Sequence, residues 1–284
     1  MPASSRALWG CIAFVFLGAA LLSPPLYWLG HGWIAHPFHR YVDRALMLAA
    51  LAGLFLFRKP LGLASAPALG LGPSPRRGKD WLGGLEIGLL SALLFAALAV
   101  AAGGRGWTPQ PPLPFLCGLA GVALGAAVLA FVEEVLFRGV IQGTLVRAWG
   151  GVPGLLAGAA LFALFHFIKV PATFAPQPVT WASGFAAVGH AFEPLGALAQ
   201  PNMAFRFATL LAVGLVLGAA YLRTGRLWLS MGLHAGWIVG AKASQALTAG
   251  WPGHWAGGSF LENPVSLVLL FLILPIVRRW PRGD

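Results

Sequence analysis

The stretch FVEEVLFRG, residues 131–139, sets two adjacent carboxylates, Glu133 and Glu134, and Arg138 inside an otherwise apolar run. Two more ionisable side chains interrupt apolar runs downstream: His166 in LFALFHFIK and His234 in LSMGLHAGWIVG. A carboxylate beside an imidazole can hold and activate a water molecule. On a helix, Glu134 and Arg138 are four residues apart on one face, acid before base, the favourable order for an ion pair. Glu133 is turned about 100° away from that face. Glu134 can therefore be neutralised locally, while Glu133 points elsewhere without a local partner, and an unpaired carboxylate in hydrocarbon is functional by default. The bland alternatives are a neutral Glu134–Arg138 brace and histidines that only bond neighbouring helices. Taken together, the three places favour a polar reaction chamber.

The elements that carry these groups must lie in a membrane. The chain is 58% hydrophobic and 10% charged, with a mean hydropathy of +0.78, against roughly 25% charged residues in soluble domains. Its 19 Lys and Arg outnumber 8 Asp and Glu. The basic residues punctuate the ends of apolar segments, where a negative leaflet would meet them, so nucleic acid is not expected as a partner. Cys11 and Cys117 lie in separate apolar segments and form no metal or redox spacing. A helix needs about 20 apolar residues to span a bilayer. Eight candidate spans follow: 7–29, 42–57, 81–102, 113–136, 152–167, 206–222, 227–247 and 264–280. The first is read as a retained span rather than a signal peptide. The fold class predicted is all-α, a polytopic bundle of about eight transmembrane helices, because long apolar runs without alternation do not suit a barrel.

Loop charge sets the expected orientation. The connector after the second span carries Arg58, Lys59, Arg76, Arg77 and Lys79, which places it in the cytoplasm. Alternation then puts Arg147, Arg223, Arg226 and the Arg278/Arg279/Arg282 tail on the same side, with both termini inside. The connector, 58–80, is rich in Pro, Gly and Ser and is expected to be a mobile linker. Residues 170–205 are apolar yet broken by prolines, which fits two short interfacial helices or a surface loop. Depth links the polar groups. Glu134 is thirteen residues before Arg147 and His166 fifteen after Gly151, so both lie roughly 20 Å from the cytoplasmic face; His234, eight past Arg226, lies about 12 Å in.

The combination EExxxR (Glu133, Glu134, Arg138), FxxxH (Phe162, His166) and a later GLHAGW (His234) resembles the CPBP family of intramembrane proteases, also called Abi or type II CAAX prenyl endopeptidases. The resemblance covers roughly 113–246. It implies a core at 113–247, preceded by N-terminal helices at 1–112 and followed by a C-terminal helix and basic tail at 248–284. By position it implies that Glu133 activates the attacking water with His166 sharing that role, that Glu134, Arg138 and Phe162 support the site, and that His234 stabilises the oxyanion. One position departs from it. The family's last motif is commonly HxxxN, and four residues after His234 stands Ile238, which cannot donate a hydrogen bond; either His234 acts with another donor, Ser230 or a backbone N–H, or activity is low.

Glu133, His166 and His234 could also form a three-ligand zinc site, so the cofactor expectation is none or zinc, with a glutamic-type mechanism preferred. His31, His36 and His39 beside Trp33 and Tyr41 read as membrane-interface dressing. The expected partners are a membrane-associated protein or peptide substrate and the lipid bilayer. The substrate classes implied are prenylated CAAX tails, bacteriocin precursors and C-terminal sorting signals. Composition points to a bacterial cytoplasmic membrane. Two rivals stand beside the protease: an inactive relative that binds or confers immunity to a peptide, and a small transporter with a Glu133–His166 proton relay.

Overall fold

Apolar segments without water must satisfy their own backbone, and helices do so residue by residue. The computed structural model describes residues 3–282 and is all-α apart from one short ladder. In chain order the helices are α1 (Ala3–Gly30), α2 (Phe38–Phe57), α3 (Arg77–Ala101), α4 (Pro112–Glu134), α5 (Gly143–Trp149) and α6 (Gly151–Phe165). They continue with α7 (Trp181–His190), α8 (Glu193–Gly196), α9 (Pro201–Thr224), α10 (Trp228–Leu247) and α11 (Pro264–Arg279). Strands β1 (Arg105–Trp107) and β2 (Thr248–Gly250) pair antiparallel, Arg105 opposite Gly250. Between α4 and α5 the chain does not break. Val135–Gln142 is π-helical, and Pro112–Trp149 runs as one continuous helix.

All eight expected spans fall on helices. Among the described residues, Ser4–Gly30, Arg77–Ala101, Pro112–Trp149 and Pro201–Thr224 are long and apolar enough to cross a membrane, and Gly151–Phe165 is a shorter apolar helix. A membrane-embedded helical bundle follows, without a count of eight crossings. The proline-broken stretch 170–205 contains α7, α8 and the first turn of α9.

The chain folds as two compact units that interleave in sequence. The first takes the chain up to Ala64 together with Leu164–Gln200; the second takes Ser65–Ala163 and everything from Pro201. In the first, Phe38, Val42, Val170, Ala187 and Ala191 form a core, with Tyr27 and Phe174 packed against it. His31 stacks on Tyr27 at 4.4 Å and His39 is buried.

In the second unit, the residues of the expected mobile linker that belong to it are docked. Leu69 and Leu71 pack against a buried cluster of Val135, Leu227 and Met231. Gly70, at φ +79°, turns the chain so that its carbonyl accepts from Leu227 N–H at 3.0 Å, and Arg226 Nη1 donates to Ser74 Oγ at 3.1 Å. A Cβ on Gly70 would press on Tyr221 and Leu227. Composition suggested mobility, but the two leucines and the carbonyl bond hold residues 69–74 as a strap over the start of α10.

Candidate active site

Helix α4 ends in the EE pair because its last buried positions, Ala126, Ala130 and Glu134, recur every fourth residue. This single stripe brings Glu134 to full burial (0% exposed). Arg138, one turn on inside the π-helical stretch, is equally buried, and its Nη1 donates to Glu134 Oε1 at 2.9 Å. The expected pair is present. Arg138 also lies over the Phe162 ring, 4.2 Å from its centroid, where the ring's negative face meets the guanidinium. Phe162 stands edge-on to the His234 ring at 6.2 Å, so the aromatic of the FxxxH motif sits against both the arginine and the imidazole.

The same Glu134 Oε1 meets His234 Nδ1 at 2.8 Å. A carboxylate accepting from Nδ1–H fixes the ring's orientation and turns Nε2 outward. Nε2 lies 3.8 Å from Glu133 Oε2. Glu133 keeps about a fifth of its side-chain surface exposed (22%), against none for Glu134. Glu133 was expected to lack a partner on its own helix; across helices it faces His234. An oxygen bound beside the two could reach both. The adjacent carboxylates thus differ in kind. One is buried and anchors an arginine and a histidine, and the other is accessible at the outer edge of the same imidazole.

The depth estimate had placed His234 some 8 Å nearer the cytoplasm than Glu134 on a rise of 1.5 Å per residue. It took Arg226 as the membrane face, whereas the strap of residues 69–74 covers that point and seats the fully buried Leu227 inside the fold. The intervening Val135–Gln142 is also π-helical rather than α-helical. The 2.8 Å contact between Glu134 and His234 brings the two groups level.

What aims His234 lies on α3, a helix to which sequence reasoning gave no role. Gly84 and Gly88 of α3 and Gly232, Gly236 and Gly240 of α10 stand four residues apart, each against the other helix. A Cβ on any of these five would collide with α3 or α10 atoms: Leu229 O, Leu233 O, Trp81 O, Leu85 O and the Ala92 side chain respectively. The backbones touch, as small-xxx-small faces allow. The signal was in the sequence as GxxxG in both helices. On its other side α10 packs Ala235 and Val239 against Ala126 and Ala130 of α4, and Ile238 joins that apolar cluster. Ile238 therefore contributes packing and no donor. Ser230 is buried and its hydroxyl donates to Leu227 O at 2.9 Å.

His166 follows α6 by one residue, is exposed, and belongs to the first unit. The second unit brings together Glu133, Glu134, Arg138, Phe162 and His234; a role for His166 stays an expectation of the motif. Among the described residues no group of three or more His, Cys, Asp or Glu is arranged to hold a metal ion. Glu133 and His234 offer two donors where a catalytic zinc uses three protein ligands.

Residues 115–239 match the family model for Type II CAAX prenyl endopeptidase Rce1-like proteins. No curated protein and no solved structure matches the chain. The matched stretch holds every residue of the EExxxR, FxxxH and GLHAGW signature. With four helices among the described residues long and apolar enough to cross a bilayer, the chain is an integral membrane protein, and its residues 115–239 form a domain of the Rce1-like type II CAAX prenyl endopeptidase kind (CPBP family), which supports a protease.

Proposed function

We propose that this protein is a glutamic-type intramembrane endopeptidase that hydrolyses a peptide bond of a membrane-associated protein or peptide. The observation that carries the reading is the line Glu134–His234–Glu133, with an anchored imidazole between a buried and an accessible carboxylate. Glu133 takes a proton from water. The water oxygen bonds to the carbonyl carbon, and the carbonyl electron pair moves onto its oxygen. His234 Nε2–H donates to that oxyanion while Glu134 holds Nδ1. Collapse of the intermediate breaks the C–N bond, and the proton on Glu133 passes to the leaving amine. Arg138 pairs with Glu134 within its own helix, and Phe162 packs against guanidinium and imidazole.

The reaction requires no metal in this reading: phenanthroline, added to the reconstituted chain, leaves the rate unchanged. The substrate belongs to peptide maturation or C-terminal sorting in a bacterial cytoplasmic membrane, with both termini on the cytoplasmic side, where the basic loops fall.

The test is hydrolysis of an internally quenched apolar peptide, with and without a C-terminal isoprenyl cysteine motif, by the full chain in liposomes. Cleavage is expected, and its absence in Glu133→Gln. Cleavage that persists in Glu133→Gln would overturn the proposal. One observation favours a second reading, that of a peptide-binding relative with little activity: Ile238 sits in an apolar cluster where the family commonly has a donor. Peptide binding without cleavage by the wild-type chain would select it.

A further inference from the structure

We propose that Ser91 of α3, outside the family-matched stretch, is a positioning residue for the reaction and acts on His234 through Trp237. The inference rests on the reading above, in which His234 is part of the catalytic machinery.

Trp237 lies three residues after His234, almost one turn along α10. Its indole Nε1–H donates to Ser91 Oγ at 2.9 Å, and both residues are buried. Ser91 Oγ–H in turn donates to Gly88 O at 3.0 Å. Gly88 is the point where the α3 backbone meets α10, between Leu233 O and Trp237 N, the two residues that bracket the segment carrying His234. The chain of bonds therefore starts one turn beyond the histidine and returns to the contact beside it.

Glycine faces permit close approach, but they are smooth, and a smooth face leaves rotation and sliding of one helix on the other weakly specified. A directional hydrogen bond from a large side chain removes that freedom. Nothing else about Ser91 asks for a hydroxyl: it stands in an apolar run, LEIGLLSALLFAAL, where alanine would form the helix better. Its hydroxyl is used in full, accepting from one helix and donating to its own. Rotation of α10 would change the reach of His234 Nδ1 to Glu134 and of Nε2 to Glu133 together, because both contacts lie across the interface with α4.

The test uses the full chain in lipid nanodiscs, the quenched peptide as probe, and nitrogen NMR of labelled histidine, the His234 signals being identified by their loss in His234→Gln. Ser91→Ala and Trp237→Phe each remove one partner with little change of shape. Each is expected to lower kcat about tenfold with KM held within about twofold, and to shift the Nδ1 resonance of His234. The double variant is expected to lose no more than either single one, since both break the same bond. Unchanged kcat and resonance in the singles would overturn the proposal, as would losses that multiply in the double. Should His234→Gln cleave the peptide at the wild-type rate, the proposed function falls. The Nδ1 resonance then decides Ser91 alone, and an unshifted signal overturns it.

Discussion

Helices α4 and α10 supply the two halves of the site and could hardly be more different. In its most apolar window the helix Pro112–Trp149 has 11% of its residues buried, and the buried positions of α4 are Ala126, Ala130 and Glu134. Leu113, Leu124, Val128 and Phe131 face outward. On α10, every residue from Leu229 to Trp237 is buried. The sparsely buried helix carries the carboxylates and the enclosed helix carries the imidazole. A reactive group at the margin keeps access to water and substrate, and the group that must be aimed is packed on all sides. Precision comes from the helix that cannot move.

This contrast can be broken in order of effect. Glu133→Gln removes the base but no structural contact of the pair, so peptide hydrolysis is expected to fall by about 10²–10⁴-fold with the thermal melting point in detergent unchanged. A melting point that fell with the rate would mean Glu133 is structural. Glu134→Gln, one residue on, leaves Arg138 buried without a counter-charge. It is expected to cost about 3–5 kcal/mol of stability, read from denaturant unfolding of the purified chain, and to release His234 from its anchor. An unfolding midpoint equal to wild type would contradict the assignment of the two carboxylates.

On the enclosed helix, Gly236→Ala drives a methyl toward Leu85 O and should cost about 1–3 kcal/mol, visible as a lowered unfolding midpoint. Leu124→Val on the outward face of α4 should change stability by less than about 0.5 kcal/mol and leave the hydrolysis rate at wild type. If it instead matched Gly236→Ala, the outward face would be a packed interface.

Much of this site could be read from the sequence because a charge in an apolar run is conspicuous. Glu133, Glu134, Arg138 and His234 are each the odd residue in their segment, and the four-residue spacing of Glu134 and Arg138 is a local rule that needs no fold. Contacts that join distant segments had no such marker. The bond from Glu134 to His234 spans a hundred residues, and no local spacing announces it. The strap at residues 69–74 looked mobile because Pro, Gly and Ser dominate its composition, while Leu69 and Leu71 decide its docking. The glycine faces of α3 and α10 were present as spacing but silent about their partner. Each helix alone shows only small residues; the meaning lies in the pair.

The i,i+4 pairing of Glu134 with Arg138 has a consequence for biogenesis. During synthesis α4 reaches the translocon about a hundred residues before α10 exists. A lone carboxylate or guanidinium at mid-bilayer costs roughly 2.5–3.5 kcal/mol on insertion scales. Because Glu134 and Arg138 cancel within one turn of their own helix, the nascent segment takes one net charge, that of Glu133, into lipid instead of three separate ones. It can then wait for its histidine, and assembly of the reactive centre is deferred until α10 has docked.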